Sequence, residues 1–467
     1  MRVVVWNAHW NTLGGGEVYA GYLAGYLAHL GNDVELVGLG ENPMNGLQKR
    51  LGLNLQSIRY IKIPSENYLL ALLKHDDLFI NGSFGSTFVS PVRKSIYICH
   101  FPLKSIKRKL LSKIIRDNKN LVVSSEHSIL HPVDNRVLLV GEGLAYFKAN
   151  RRMSVDVEFG RIAVYKDFEL MANLESNEQY IFGSKGYYSI KSLSKVVPVT
   201  TVSGASSLAW VRKFFVRRLT HQENFANSYS QIWANSSFTS GYISKYWKKT
   251  SKLVFPPHSE RSIHSIQPNP YQILSIGRFM NPQNGHCKNQ LDLVEAFEKL
   301  CSTSPLPWKL HLAGGVDPSG DSYFMKVKKQ VESKGLQIYL HPNCTQSELD
   351  NLLQNSQYYW HATGMGVAKR NPEDMEHFGI AVVEALNAKL IPLVYDIAGP
   401  AEILKDFPQL RFSSISNLAQ KTISLAQSDR SNLEVALKEE SQKYSNLVFR
   451  NSVDEALLDL DLATEAK

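Results

Sequence analysis

The segment Glu376-His-Phe-Gly-Ile-Ala-Val-Val-Glu384 sets two carboxylates on either side of seven residues, with Gly379 opening an apolar run of helical character. The first amides of a helix have no intrahelical acceptor, and the helix dipole favours an anion beside them, so the amides of Phe378, Gly379 and Ile380 are placed to meet a phosphate. Eight residues at helical rise span roughly 12 Å, the reach from a sugar, across a diphosphate, to the ribose of the same nucleotide. Glu384 is then the carboxylate for ribose hydroxyls and Glu376 the one for the sugar. Two solvated glutamates on a surface helix are the plain alternative. Context argues against it: the strand-like QYYWHA and a long loop precede the segment, putting it at the carboxyl end of an expected parallel sheet, where ligands bind.

In these residues the chain resembles glycosyltransferase family 4, whose signature is a glutamate, seven residues and a second glutamate in an EGFGLxxxE pattern. The resemblance runs through SIGRF (275–279), Lys288 in KNQLDLVEAF, HLAGG (311–315) and IAGPAEIL (397–404), in the family's order. It implies a GT-B fold, an α/β architecture of two Rossmann-like parallel-sheet domains facing across a cleft. It also implies retaining transfer of a sugar from a nucleoside-diphosphate-sugar to an acceptor hydroxyl, in cell-surface polysaccharide or glycolipid synthesis. Arg278 and Lys288 then act as fixed cations on the diphosphate, which removes the need for a metal; alone, the pair would read as solvated surface charge. His100, with Pro102 two residues on, matches a family histidine that contacts the transferred sugar, although a lone histidine is more often a structural hydrogen-bonder. The loop Gly14–Gly16 matches one that faces the reaction centre; Gly15 and Gly16 let the backbone approach a ligand closely. A dinucleotide fingerprint is excluded there, because the glycines it needs are Tyr19 and Val18. His377 and His361 are weaker candidates, and His361, on a buried strand, reads as a satisfied core histidine. Two departures stand out: Lys389 and Ala398 occupy positions where the family usually carries glycine.

The elements that must position these residues follow a βα rhythm. Arg2–Trp6, a glycine loop and EVYAGYLAGYLAHLG give strand, loop and helix, and DVELVGL the next strand. The rhythm lapses over 145–220 and resumes at SQIWANSSFTSGYISKYW. Four prolines in 252–271 mark a domain boundary. We expect an N-terminal domain over 1–254, with 145–220 as an insertion, a nucleotide-sugar-binding domain over 255–430, and helices over 431–467 crossing back to the first domain.

The 467 residues suit two domains, and with 43% hydrophobic and 20% charged residues the chain should fold as a globular protein. Cys99, Cys287, Cys301 and Cys344 form no CxxC pair, no Asp-x-Asp stands in a loop after a strand, and no histidine or cysteine cluster has metal-ligand spacing, so no cofactor or metal is expected. The sequence shows no signal peptide or membrane-spanning run, so cytoplasmic residence is the expectation. Residues 1–250 hold 31 Lys and Arg against 18 Asp and Glu, whereas 251–467 hold 21 against 25. Basic–apolar stretches at 104–119 and 211–219 suit an anionic membrane surface or a lipid-linked acceptor, making the protein peripheral on the inner face of a membrane; nucleic acid is not expected as a partner. A saccharide is the other acceptor class. Two rival functions stay open: a GT-B sugar-nucleotide epimerase, and a binding module without turnover.

Overall fold

The computed structural model describes residues 1–103, 225–257, 267–281, 286–316 and 320–465, together with short strands between 129 and 189. The expected basic stretches at 104–119 and 211–219 lie outside the described residues.

The first sheet is built from β1 (Arg2–Trp6), β2 (Asp33–Gly38), β3 (Arg59–Lys62), β4 (Leu78–Asn81), β5 (Lys94–Cys99), β6 (Gln231–Ala234) and β7 (Lys252–Leu253), in spatial order β7-β6-β5-β4-β1-β2-β3. Every pairing is parallel. Central strands covered on both faces read as unbroken apolar runs, which is why Val3, Val4, Val5 and Trp6 are all buried. Helix α1 (Gly15–His29) and helix α2 (Met44–Leu51) follow β1 and β2 in chain order.

The second sheet contains β8 (Asn269–Ile276), β9 (Lys309–Gly314), β10 (Ile338–Pro342), β11 (Ser356–His361), β12 (Ile391–Tyr395) and β13 (Arg411–Phe412), in order β10-β9-β8-β11-β12-β13. It too is parallel throughout. In both sheets the winding direction reverses beside the first strand, at β1/β4 and β8/β11. A crevice opens at such a switch point, beyond the carboxyl ends of the strands. The loops that leave β1, β5, β8 and β11 carry Gly14–Gly16, His100, Arg278 and the segment up to Glu376. The fold is therefore the expected pair of parallel-sheet α/β domains facing across a cleft.

Between the first five strands and β6 the chain adds antiparallel strands: Met153–Glu158, Arg161–Lys166 and Glu169–Glu175 form one sheet, and Tyr180–Gly183 pairs with Gly186–Ser189. This region carries no βα rhythm in the sequence because it does not follow the parallel plan.

One continuous core runs from Ile273 to Tyr444 under the second sheet. Helix α7 (Ser431–Gln442) belongs to it through Leu437, so the crossing back comes after Tyr444 rather than at Ser431. Helix α8 (Asn446–Glu465) inserts Phe449, Val453, Ala456 and Leu460 into the core under the first sheet. Phe449 meets Tyr19 edge-on at 5.8 Å, the Tyr26 hydroxyl donates to Asp454 at 2.8 Å, and the Gln231 amide donates to the Ala456 carbonyl at 2.7 Å.

Candidate active site

The signature segment begins before helix α5 (Ile380–Asn387), with Gly379 as its N-cap at φ +107°, a backbone conformation suited to glycine. A side chain at 379 would also sit 3.2 Å from the Pro400 ring. The loop after β12 locks this turn: the Gly399 amide donates to the Glu376 carbonyl at 3.0 Å, and a Cβ on Gly399 would lie 2.5 Å from the Phe378 backbone. The Phe378 ring turns inward, stacked on Phe255 and edge-on to Tyr444, so only its backbone is on offer to a ligand. Ile380 points across the cleft. A Cβ on Gly15 would fall 2.9 Å from its Cδ1, so the absent side chain at 15 is what allows the two domains to approach there.

Lys288 forms an ion pair with the Glu376 carboxylate, both side chains about one-fifth exposed. The lysine reaches it by running over Gly277, where any Cβ would strike Lys288 Cγ. Gly277 and Gly314 likewise meet backbone to backbone, since a Cβ on Gly314 would overlap the Gly277 carbonyl. The glycines of SIGRF and HLAGG thus serve close approach. Arg278, exposed on the same loop, packs its stem beside Gly315, and its guanidinium has no ion-pair partner among the described residues. The structure brings Lys288 to Glu376 instead of leaving it with Arg278 as a second free cation.

Three histidines surround the pair. The burial that would push the Glu376 carboxyl up is outweighed by Lys288 and then by His361 and His286, which hold it down at about 2. His361 Nε2 lies 3.8 Å from Glu376 Oε2. It is buried, but that nitrogen has no hydrogen-bond partner among the described residues, so it is not the satisfied core histidine expected from its strand. Burial and then Lys288 lower its pKa to about 4. His377 stacks on Phe101 with centroids 4.1 Å apart and 12° between planes, and meets His286 edge-on at 5.1 Å. Burial and then His286 push it down to about 3. His286 is also lowered by burial.

Glu384, in α5, faces the other domain. Its carboxylate is 3.5 Å from the Arg50 guanidinium at the end of α2, and Arg50 also donates to Gln346 at 2.9 Å. Nothing in the sequence marks Arg50: it sits in an ordinary amphipathic helix, and only the closing of the cleft gives it a partner on the far side.

The N-terminal wall is equally ordered. Glu17 accepts from Thr12 at 2.7 Å, the Gly14 amide at 2.9 Å and Asn7 at 3.2 Å, which pins the glycine loop. His100 donates from Nε2 to the Gly82 carbonyl at 3.0 Å, and a Cβ on Gly16 would lie 3.0 Å from that nitrogen. His100 and Gly16 are therefore neighbours, while burial depresses the pKa of His100. Helix α3 (Ser237–Trp247) joins the walls behind the site. Its N-cap Ser236 donates to the His377 carbonyl at 2.6 Å, and the amides of Ser237 and Phe238 donate at 2.7 and 2.9 Å to Glu402, in α6 (Ala398–Ile403) of the opposite domain. Phe378, Gly379 and Ile380 stand together at the α5 terminus, the Glu376–Lys288 pair lies beside it, and Glu384 sits further along the helix, at the seam with the other domain.

This cleft between two Rossmann-like sheets defines a GT-B protein. Residues 258–444 match the model of the glycosyl transferases group 1. The GDP-Man:Man(3)GlcNAc(2)-PP-Dol alpha-1,2-mannosyltransferase of Homo sapiens is 28% identical over 180 residues, 36% of this chain and 34% of that protein. Its Eremothecium gossypii counterpart is 24% identical over 208 residues, 42% and 33%. The alignments span about a third of the length of these curated relatives. A glycosyltransferase of Rickettsia africae matches over 98% of both chains with a TM-score of 0.57 and 13% identity. Anabaena Alr3699/HepE in complex with UDP matches over 98% of this chain and 100% of its own, with a TM-score of 0.57 and 10% identity. These two likenesses are of fold.

Proposed function

We propose that the protein is a retaining glycosyltransferase that moves a sugar from a nucleoside diphosphate to an acceptor hydroxyl in the interdomain cleft. The observation that carries the reading is the placing of Glu376 and Glu384 at opposite ends of the α5 terminus, one beside Lys288 and the histidines, the other at the domain seam. The Gly379–Ile380 amides, Arg278 and Lys288 would hold the diphosphate. Lys288 would exchange Glu376 for phosphate, since a cation close to the leaving group stabilises the charge that grows there. Glu384 would take the ribose hydroxyls, and Glu376 the transferring sugar. His100 and the Gly15–Gly16 loop would close the site from the other domain.

The curated relatives are named for GDP-mannose and a dolichol-linked acceptor, and one structural neighbour holds UDP, which makes GDP- and UDP-sugars the first donors to try. A lipid-linked saccharide fits the basic–apolar stretches of the N-terminal half as acceptor, at an anionic membrane surface. Among the described residues no helix is long and apolar enough to cross a membrane. The test is a thermal-shift screen with UDP-, GDP-, ADP- and dTDP-sugars, followed by product analysis with the donor that binds. A clear rise in Tm with one nucleotide class supports the reading, because a ligand that binds only the folded state stabilises it. No shift with any of the four, at millimolar donor, contradicts it.

A further inference from the structure

His361 closes β11 at the bottom of the cleft, buried, with Nε2 aimed at the Glu376 carboxylate across 3.8 Å and unbonded among the described residues. Leaving a buried polar atom unpaired is costly, so such an atom calls for a partner that arrives in another state of the site. Its other nitrogen, Nδ1, lies 3.4 Å from the Tyr359 hydroxyl, which also has the Ile276 carbonyl within 3.3 Å. Tyr359 has one proton to give. Given to Ile276, it leaves the ring proton on Nδ1 and turns a bare Nε2 lone pair toward a carboxylate. Given to Nδ1, it puts the ring proton on Nε2, facing Glu376. The second arrangement alone removes the repulsion. Burial also keeps the ring uncharged at neutral pH, so it acts as a hydrogen-bond donor rather than a second cation.

Resting on the reading of Glu376 as the sugar-side carboxylate, we propose that His361 is a positioning residue, its tautomer set by Tyr359, which holds the Glu376 carboxylate through Nε2–H when a donor diphosphate draws Lys288 away. A shift of about 1 Å brings the two atoms within hydrogen-bond distance. Without that hold, Glu376 would part from Lys288 at the moment its direction matters, and the sugar would meet a carboxylate free to turn. A rotation of this size in a group that must face the reacting centre costs up to about a hundredfold in rate.

The experiment compares His361→Leu, His361→Gln and Tyr359→Phe with the parent protein. Two quantities are read: affinity for bare GDP and UDP by calorimetry, and release of nucleoside diphosphate from GDP-mannose and UDP-glucose at saturation, with water as acceptor. His361→Leu is expected to keep bare-nucleotide affinity and lose roughly ten- to a hundredfold in release rate. His361→Gln, whose amide can donate from a similar place, recovers most of that rate. Tyr359→Phe, which keeps the ring and frees the tautomer, falls between, and it decides the matter if the leucine variant does not fold. Equal release rates in parent, His361→Leu and Tyr359→Phe overturn the inference, as does a glutamine variant no better than leucine. Glu376→Gln is run beside them: if it alone collapses the rate, the inference fails and the site reading survives. If it too releases nucleotide at the parent rate, the site reading has failed and the inference with it.

Discussion

At the scale of single residues, the site gathers groups that the protein holds away from their ordinary protonation. His377, packed between Phe101 and His286, is lowered from 6.5 to about 3 by burial and then by its histidine neighbour. His361 is lowered to about 4. The folded state refuses protons that the unfolded chain accepts once the pH drops through 6.5, so these groups make stability fall as pH falls from about 6.5 toward 3. Glu376, held down at about 2, adds a loss of the same sign below 4.5, where the unfolded carboxyl protonates first. His377→Gln should therefore flatten the decline between pH 6 and 4, by at most about 1.4 kcal/mol per pH unit. Urea denaturation at a series of pH values checks this. The slope is the readout, since the lost stack on Phe101 lowers the absolute stability at every pH. An unchanged slope would show that His377 protonates freely in the folded protein.

At the scale of elements, glycine chemistry explains both the motifs and their exceptions. Lys389 (φ +66°) and Ala398 (φ +55°) stand in left-handed conformations at the ends of the turns that frame α5. The left-handed backbone costs an L-residue about 1–2 kcal/mol, whereas glycine enters it freely and loses about 0.5–1 kcal/mol through the entropy of the unfolded chain. Lys389→Gly and Ala398→Gly should each stabilise the protein by about 0.5 kcal/mol, read as a higher denaturation midpoint with unchanged slope; a lower midpoint would contradict the strain argument. The two departures noticed in the sequence are thus positions where this chain keeps the backbone turn and tolerates the wrong side chain. Much else was legible at this scale. Buried Val-rich strands and the glutamate pair announce themselves locally, because apolar period and helix start are short-range properties. Arg50, Glu402 and the unpaired nitrogen of His361 were not legible. Each gets its meaning from a partner in another element or in the other domain: Arg50 from Glu384, Glu402 from the Ser237 and Phe238 amides, His361 from Glu376. The antiparallel strands between 153 and 189 gave only a lapse in rhythm, which says where the plan changes and not what replaces it.

At the scale of the whole molecule, the domains are tied together by the chain's own end and by contacts behind the site. Helix α8 completes the N-terminal core, so the last helix of the sequence helps hold the wall that carries His100 and the glycine loop. Phe449→Ala removes a ring that is 4% exposed and packed on Tyr19. It should cost about 3–5 kcal/mol of stability, the range for truncating a buried phenylalanine. Denaturation monitored by circular dichroism measures the loss. A cost under about 1 kcal/mol would mean that α8 is an accessory to the first domain and not part of its core.

The central claim is that the two glutamates address different ends of one sugar nucleotide, and calorimetry of Glu376→Gln and Glu384→Gln tests it most directly. Both substitutions keep shape and remove charge. The titrants are GDP and UDP, then GDP-mannose and UDP-glucose, with nucleoside diphosphate release followed for the donor that binds. Losing Glu384 takes away ribose contacts that exist in the ground state, so affinity for the bare nucleotide should drop by about tenfold or more, the worth of hydrogen bonds to a charged group. Losing Glu376 should leave bare-nucleotide affinity within error of the parent and lower the release rate, because its interaction strengthens as charge builds on the sugar. If both variants merely bind nucleotide less well, or if neither differs from the parent, the two carboxylates do not divide the donor between them, and the assignment of this cleft is wrong.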